Sequence, residues 1–196
     1  MNVSAIVLAA GQSSRMGSPK MILPWGSSTV IGRVVDVLQQ AGIEDIIVVT
    51  GGARQLVEQA LAGKPVRAVF NPRYQQDHMT YSLQTGLLEL GEQVSAALVA
   101  LGDQPQIEAP VVLAVLQAYL EKGSPLVIPS YQMRRGHPWL VDRALWGGLL
   151  GLLPPATLRD FLNRHQEQIE YLPVAADSVL RDLDTPLDYQ REHPAL

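Results

Sequence analysis

Two cations follow a short apolar strand at close range. Ile6-Val7-Leu8-Ala9-Ala10 runs straight into Gly11-Gln12-Ser13-Ser14-Arg15-Met16-Gly17-Ser18-Pro19-Lys20. Ala9, Ala10 and Gly11 carry almost no side chain, so a base or sugar can come close to the backbone, and Gly11 and Gly17 permit turns that other residues resist. The loop's main-chain N–H groups are then available to phosphate oxygens. Arg15 offers a planar charged fork and Lys20 a compact point charge. The pair suits a triphosphate. Neither Gly-x-x-x-x-Gly-Lys-Ser/Thr nor a strand-following Gly-x-Gly-x-x-Gly is present, which disfavours a P-loop NTPase and a nicotinamide dehydrogenase.

Two carboxylates stand in comparable settings. Asp103 follows the apolar run Ala96–Leu101, between Gly102 and Gln104-Pro105; Asp184 lies far away in the polar turn from Asp182 to Pro186. If they converge they repel, and a shared divalent cation relieves that repulsion. Mg2+ fits, because it takes one or two carboxylates together with waters and substrate phosphates. Each also has a plainer reading: Asp103 as a turn residue capping nearby N–H groups, Asp184 as the N-cap of a final helix opened by Asp-Thr-Pro. Asp182 and Asp188 read as capping or solvated residues.

The elements that must position these groups alternate. Val-, Ile- and Leu-rich runs at Ser4–Ala9, Asp45–Thr50, Val66–Phe70, Ala96–Leu101 and Pro125–Pro129 read as strands buried on both faces. Helical periods at Thr29–Gln40, Arg54–Ala62, Ser82–Leu90 and Ala109–Lys122 lie between them. The alternation predicts a three-layer α/β/α domain with a mostly parallel sheet, Rossmann-like, whose ligands sit outside the carboxyl ends of the strands. Tyr131–Val141 reads as an irregular or hairpin insertion, followed by helices at Asp142–Leu153 and Thr157–His165 and a strand at Gln168–Val174.

Composition narrows the class. At 196 residues and 47% hydrophobic content, one domain over 1–196 is expected. A net charge of −4 with scattered basic residues argues against nucleic acid and anionic membrane as partners. The absence of cysteine removes disulfides and thiolate chemistry and suits a reducing cytosol. With a strand pattern at the start and no apolar stretch near the ~18–20 residues of a membrane span, a cytoplasmic protein is expected.

Leu8 to Lys20, in the form L-A-A-G-x-S-x-R-M-G-x-x-K, resembles the signature of the molybdenum cofactor nucleotidyltransferases. Further islands follow in that family's order: Asn71-Pro72-Arg73-Tyr74, Met79 to Gly86, Leu101 to Pro105, Arg135-Gly136-His137-Pro138, Leu158-Arg159 and Asp182 to Asp188. The cytidylyltransferase branch is the most similar. The resemblance implies a nucleotide-diphospho-sugar transferase fold and transfer of CMP from CTP to the terminal phosphate of a molybdopterin-type cofactor, with pyrophosphate released. It implies that Asp103 and Asp184 converge on Mg2+ and that Arg15, Lys20 and Asp103 carry catalysis. It places Leu8, Ala9, Ala10, Gly11, Arg15, Lys20, Asn71 and Ser82 at the nucleotide and Gly136 and His137 at the acceptor. A molybdenum hydroxylase or its maturation factor is an implied partner. Ala10 favours CTP, since the guanylyl branch reads Leu-Ala-Gly-Gly.

Several residues carry two readings. Ser82 suits either the nucleotide or a helix N-cap. His137 suits hydrogen bonding to the acceptor, charge stabilisation when protonated, or an ordinary turn. Asn71 and Arg73 equally suit turn chemistry, and Trp25, Trp139 and Trp146 read as packing. The chain departs from the family at His78, where glycine is usual, and at Pro154-Pro155-Ala156-Thr157-Leu158-Arg159, where Gly-Asp-x-Gly-Ala-Arg is usual. A GTP-using or sugar- or polyol-phosphate transferase, and a non-catalytic cofactor chaperone, are the competing functions.

Overall fold

Strands buried on both faces set the architecture. The computed structural model describes residues 2–11, 16–76 and 78–194. Its strands are β1 (Val3–Ala9), β2 (Pro24–Trp25), β3 (Ser28–Thr29), β4 (Ile46–Thr50), β5 (Arg67–Phe70), β6 (Ala96–Leu101), β7 (Leu126–Tyr131), β8 (Arg134–Arg135), β9 (Trp139–Asp142) and β10 (Ile169–Pro173). Its helices are α1 (Val30–Gln40), α2 (Arg54–Ala60), α3 (Met79–Leu88), α4 (Ala109–Lys122), α5 (Trp146–Leu150), α6 (Leu158–Arg164) and α7 (Pro186–Glu192).

The main sheet runs β10-β7-β9-β6-β1-β4-β5, with β8 paired to β7. All its pairings are parallel except those made by β9 and β8. Ala5, Val7 and Ala9 of β1 and Ala96, Leu98 and Ala100 of β6 face a core shared with α1 and α4. Ile6 and Leu8, with Ala97, Val99 and Leu101, face a second core under α3, α5 and α6. Period-two side chains buried on both faces give the three layers expected. Gly86 lets α3 settle on the sheet, since a Cβ there would lie 2.5 Å from Ile6 Cγ2.

Local signals set the helix ends. Thr29 caps α1 by accepting from Gly32 N at 3.1 Å. Pro110 opens α4, and Gly123 closes it at φ +66°. Thr157 with Asp160 and Thr185 with Asp188 form capping boxes on α6 and α7.

Several expectations are corrected. β5 is an edge strand with mostly exposed residues rather than one buried on both faces. The helix expected over Asp142–Leu153 is shorter, Trp146–Leu150, because Asp142 still belongs to β9 and Arg143–Leu145 forms a 3-10 turn. Tyr131–Val141, expected as an irregular or hairpin insertion, does begin with the β7–β8 hairpin, but it ends in a strand of the main sheet: Trp139–Asp142 enters the middle of the sheet as β9, antiparallel between β6 and β7. Its apolar run is too short to register as a strand pattern. Helix α3 begins at Met79 rather than Ser82, with His78 at its cap position. Among the described residues no helix is long and apolar enough to cross a membrane.

Candidate functional site

At the carboxyl edge of β1 and β6 the chain brings together three of the charged residues singled out above. Lys20 opens a short 3-10 turn, Lys20–Ile22, and its side chain is buried. Its Nζ lies 2.5 Å from Asp103 Oδ2 and donates to Asp184 Oδ1 at 3.1 Å. Burial alone would push the Lys20 ammonium down, but Asp103 and Asp184 override it and hold the pKa above the ordinary lysine value. Lys20 is therefore charged across the neutral range. Arg15 lies outside the described residues.

A specific anchor closes the long sequence gap between Asp103 and Asp184. Leu183 is fully buried against Trp25 and Val30, with Leu23 and Tyr189 packed alongside, and burying one such leucine is worth about 1.5–3 kcal/mol. Leu183 N donates to Asp103 O at 3.1 Å, and Tyr189 Oη donates to Pro24 O at 2.6 Å. Gln104, itself buried, donates from Nε2 to Asp182 Oδ1 at 2.7 Å. Asp103 and Asp184 are thus delivered by neighbours on either side that are latched together.

This geometry decides between the earlier readings. Asp184 is not the cap of α7, a role taken by Thr185. Asp188 completes that capping box, while Asp182 takes the Gln104 amide instead of capping a helix. Partial burial pushes the Asp182 carboxyl up, and the charges of Asp103 and Asp184 push it further. Three carboxyl groups thus share this corner of the site. Two partly open carboxylates with oxygen-only donors in such a field fit a hard divalent cation that keeps waters and binds phosphate. Among the described residues no group of three or more His, Cys, Asp or Glu side chains is placed to hold a metal. Waters and substrate oxygens can complete the shell of such a cation.

The turn after β1 is kept clear. Ala9 and Ala10 are buried, and a Cβ on Gly11 would meet open space. Of the two glycines, only Gly17 needs its freedom, at φ +68°. Leu8 O accepts from Gly102 N at 3.0 Å and ties this turn to the Asp103 loop. Gly51, at the end of β4, approaches so closely that a Cβ would sit 2.3 Å from Ala10 O.

Asn71 and Ser82 meet as well, but with each other. Asn71 Nδ2 donates to Ser82 Oγ at 3.1 Å, Asn71 Oδ1 accepts from Arg73 N at 2.9 Å, and both side chains are buried. Ser82 lies inside α3 and caps nothing, which corrects the N-cap reading. Arg73 stacks 3.9 Å above the Tyr81 ring and donates to Gln84, whose Nε2 in turn donates to carbonyls of Leu149 and Leu152. The segment is a brace between β5, α3 and α5.

Arg135, Gly136 and His137 line a cleft of about 1090 Å³ beyond β7, β9 and α6, together with Trp139, Arg159 and Tyr171. Gly136 has a packing reason to be glycine, since a Cβ would lie 2.6 Å from Val179 Cβ and 2.7 Å from Val179 O. That same carbonyl accepts from His137 N at 2.9 Å. Burial pushes the His137 imidazole down to about 4. The ring is neutral at physiological pH in the free protein. Trp25, Trp139 and Trp146 are all buried, as packing residues.

Sequence reasoning missed Gly51, the Gln104–Asp182 latch, and Tyr171 and Asn163 beside Arg135. Only Gln104 left a signal, through its place directly after Asp103; the others depend on contacts between distant segments.

Comparison with known proteins agrees with this architecture. Residues 5–169 match the MobA-like NTP transferase domain. The bifunctional protein GlmU of Syntrophomonas wolfei is 32% identical over 141 residues, covering 68% of this chain and 30% of that protein. This chain therefore spans less than a third of the length of that relative. Rv0371c of Mycobacterium tuberculosis H37Rv is 28% identical, with 97% of both chains covered and a TM-score of 0.86; another structure of it is a complex with manganese. A nucleotidyl transferase from Methanothermobacter thermautotroptrophicus is 27% identical, with 98% and 96% covered and a TM-score of 0.84.

Proposed function

Since this chain belongs to the MobA-like NTP transferase domain family and is a nucleotidyltransferase, we propose that it transfers CMP from CTP to the terminal phosphate of a molybdopterin-type cofactor. One observation carries the reading: the Lys20 ammonium held between Asp103 and Asp184 at the mouth of the small-residue turn Ala9-Ala10-Gly11. That is where a triphosphate laid along the turn would present its phosphates. An acceptor oxygen forms a bond to the α-phosphorus, the bridging α–β P–O bond breaks, and pyrophosphate leaves with the electron pair. The protein contributes position and charge rather than covalent chemistry.

In this reading Lys20, with Arg15, steadies the phosphates and the departing pyrophosphate. Asp103 and Asp184 would hold Mg2+, which when bound supplies further neutralisation of the triphosphate. The manganese complex of the Mycobacterium tuberculosis relative supports a divalent cation in the family without fixing its identity here. Leu8, Ala9, Ala10 and Gly11 form the bed of the nucleotide, and the Asn71–Ser82 brace shapes its flank. Gly136 and neutral His137 border the acceptor, His137 acting through hydrogen bonds. The activity is assigned to one domain over 1–196, in the cytoplasm, with a molybdenum hydroxylase or its maturation factor downstream.

The test is pyrophosphate release by purified protein with Mg2+ and molybdenum cofactor, comparing CTP, GTP and ATP. Release with CTP supports both the reaction and the reading of Ala10. Release with GTP alone keeps the chemistry and overturns the base assignment. No release alongside Mg2+-dependent CTP binding overturns the acceptor, and points to a sugar or polyol phosphate in its place.

A further inference from the structure

Arginines line the cleft beside the transfer site: Arg134, Arg135 and Arg159 border it, and none of its described lining residues is an aspartate or glutamate, the Asp160 carboxylate interacting with Arg159 from outside that lining. Among the described residues, Arg54, Arg67 and Arg181 are ion-paired to carboxylates, whereas Arg134, Arg135 and Arg159 form no such pair. Arg135 is nonetheless held in place. Its Nε and Nη2 donate to Tyr171 Oη at 2.9 and 2.8 Å, and its Nη1 donates to Asn163 Oδ1 at 2.7 Å.

Both partners are neutral. They orient the guanidinium without cancelling its charge, and they leave further N–H donors available. A preoriented cation with neutral supports is suited to a bidentate oxyanion, and an acid partner would have weakened it for that task. Tyr171 sits on β10, three places along the sheet from β6, the strand that leads to Asp103. At strand spacing that separation is on the order of 10–15 Å. A single phosphate group cannot touch both ends.

We propose that the cleft binds a second oxyanion, a phosphate or a carboxylate, remote from the nucleotide's phosphates, and that Arg135 receives it. The anion site rests on the cleft alone; a molybdopterin-type acceptor, whose one phosphate is the attacking group, would not itself supply that anion. Tyr171 and Asn163 are positioning residues, and Arg134 and Arg159 add charge at the rim.

The test follows the Nε–H signal of Arg135 by NMR, assigned through its loss in Arg135→Gln, in protein without nucleotide. Inorganic phosphate and acetate are titrated separately, each against sodium chloride at matched ionic strength. The proposal requires a saturable shift with at least one of them. Phosphate alone marks the second group as a phosphate, acetate alone as a carboxylate. The half-saturation should weaken several-fold in Tyr171→Phe, which folds with its ring in place but cannot accept from the guanidinium, and should be unchanged in Asp103→Asn. No saturable shift, or one reproduced by chloride, overturns the proposal. Pyrophosphate release is read separately: if it fails while Arg135 titrates, the transferase reading falls and the anion site stands.

Discussion

Replacing Asp103 separates catalysis from folding most cleanly. The Asp103 carboxylate lies 2.5 Å from an ammonium whose side chain is only 9% exposed, while the other partner, Asp184, is 46% exposed. Asp103→Ala removes the closer of these two carboxylates, a loss of about 1–3 kcal/mol for a buried charge deprived of a hydrogen bond. For a chain of this size that lowers Tm by about 2–12 °C. The fold survives, because Leu183 and the two apolar cores are untouched. Turnover should fall much further, by about 10²–10³, as it does when a preorganised group facing transition-state charge is removed. Asp103→Asn is the sharper control, since its amide oxygen can still accept from Lys20. Its Tm should stay closer to wild type while its turnover falls as far as that of Asp103→Ala. Stopped assays of pyrophosphate release with CTP, beside thermal melts of the same samples, read both quantities. Turnover in Asp103→Asn within threefold of wild type would refute the reasoning, and so would a loss matched by the unfolded fraction.

Three other expectations concern the supports of the site. Gln104→Ala removes the amide that latches Asp182 and leaves Asp184 less firmly placed, so turnover should drop about tenfold, the scale of a sub-ångström misplacement, with Tm falling by only a few degrees; unchanged kinetics would show that the latch is irrelevant. Gly136→Ala drives a Cβ to 2.6 Å from Val179 Cβ, and the Val179 carbonyl cannot retreat without losing its bond to His137 N; the cost is about 1–3 kcal/mol in urea titration, and a neutral result would mean that the 177–180 turn yields freely. The His137 pKa is depressed from 6.5 in the unfolded chain to about 4, so below pH 6.5 the unfolded chain takes up a proton that the folded one refuses. Stability from this group is complete above pH 6.5 and is lost as pH falls toward 4. His137→Gln should flatten that decline by about 1–2 kcal/mol, because part of the ring still faces the cleft, and an unaltered pH–stability curve would contradict the burial argument.

The layered sheet was legible because burial on both faces leaves long apolar runs: Ala96–Leu101 and Ala109–Lys122 appear in the structure with the same bounds. β9 was not legible, since Trp139-Leu140-Val141 is short and follows a proline. The turn at Ala9–Gly11 and the cations and acids around it announced themselves by residue type and by resemblance. Their convergence did not come from spacing, because Leu183 buried under Trp25 is what carries Asp184 back to Asp103. Ser82 was misplaced at a helix start for a local reason: His78, which is not a capping residue type and makes no side-chain cap bond, stands at the true cap position. Asp182, read as capping or solvated, accepts from a glutamine that no periodicity could connect to it. Arg135 was read as part of an acceptor segment, but its neutral partners Tyr171 and Asn163 come from a strand and a helix far along the chain.

The central claim is that a nucleotide triphosphate at the Lys20–Asp103–Asp184 cluster gives up its nucleotidyl group to a phosphorylated acceptor. The most direct measurement uses CTP labelled at the α-phosphorus, with Mg2+ and molybdenum cofactor, and follows where the label goes. The account predicts label in the cofactor, one equivalent of unlabelled pyrophosphate for each label transferred, and none of this with Asp103→Asn. Label remaining in CTP or appearing as free CMP in the wild type would contradict it.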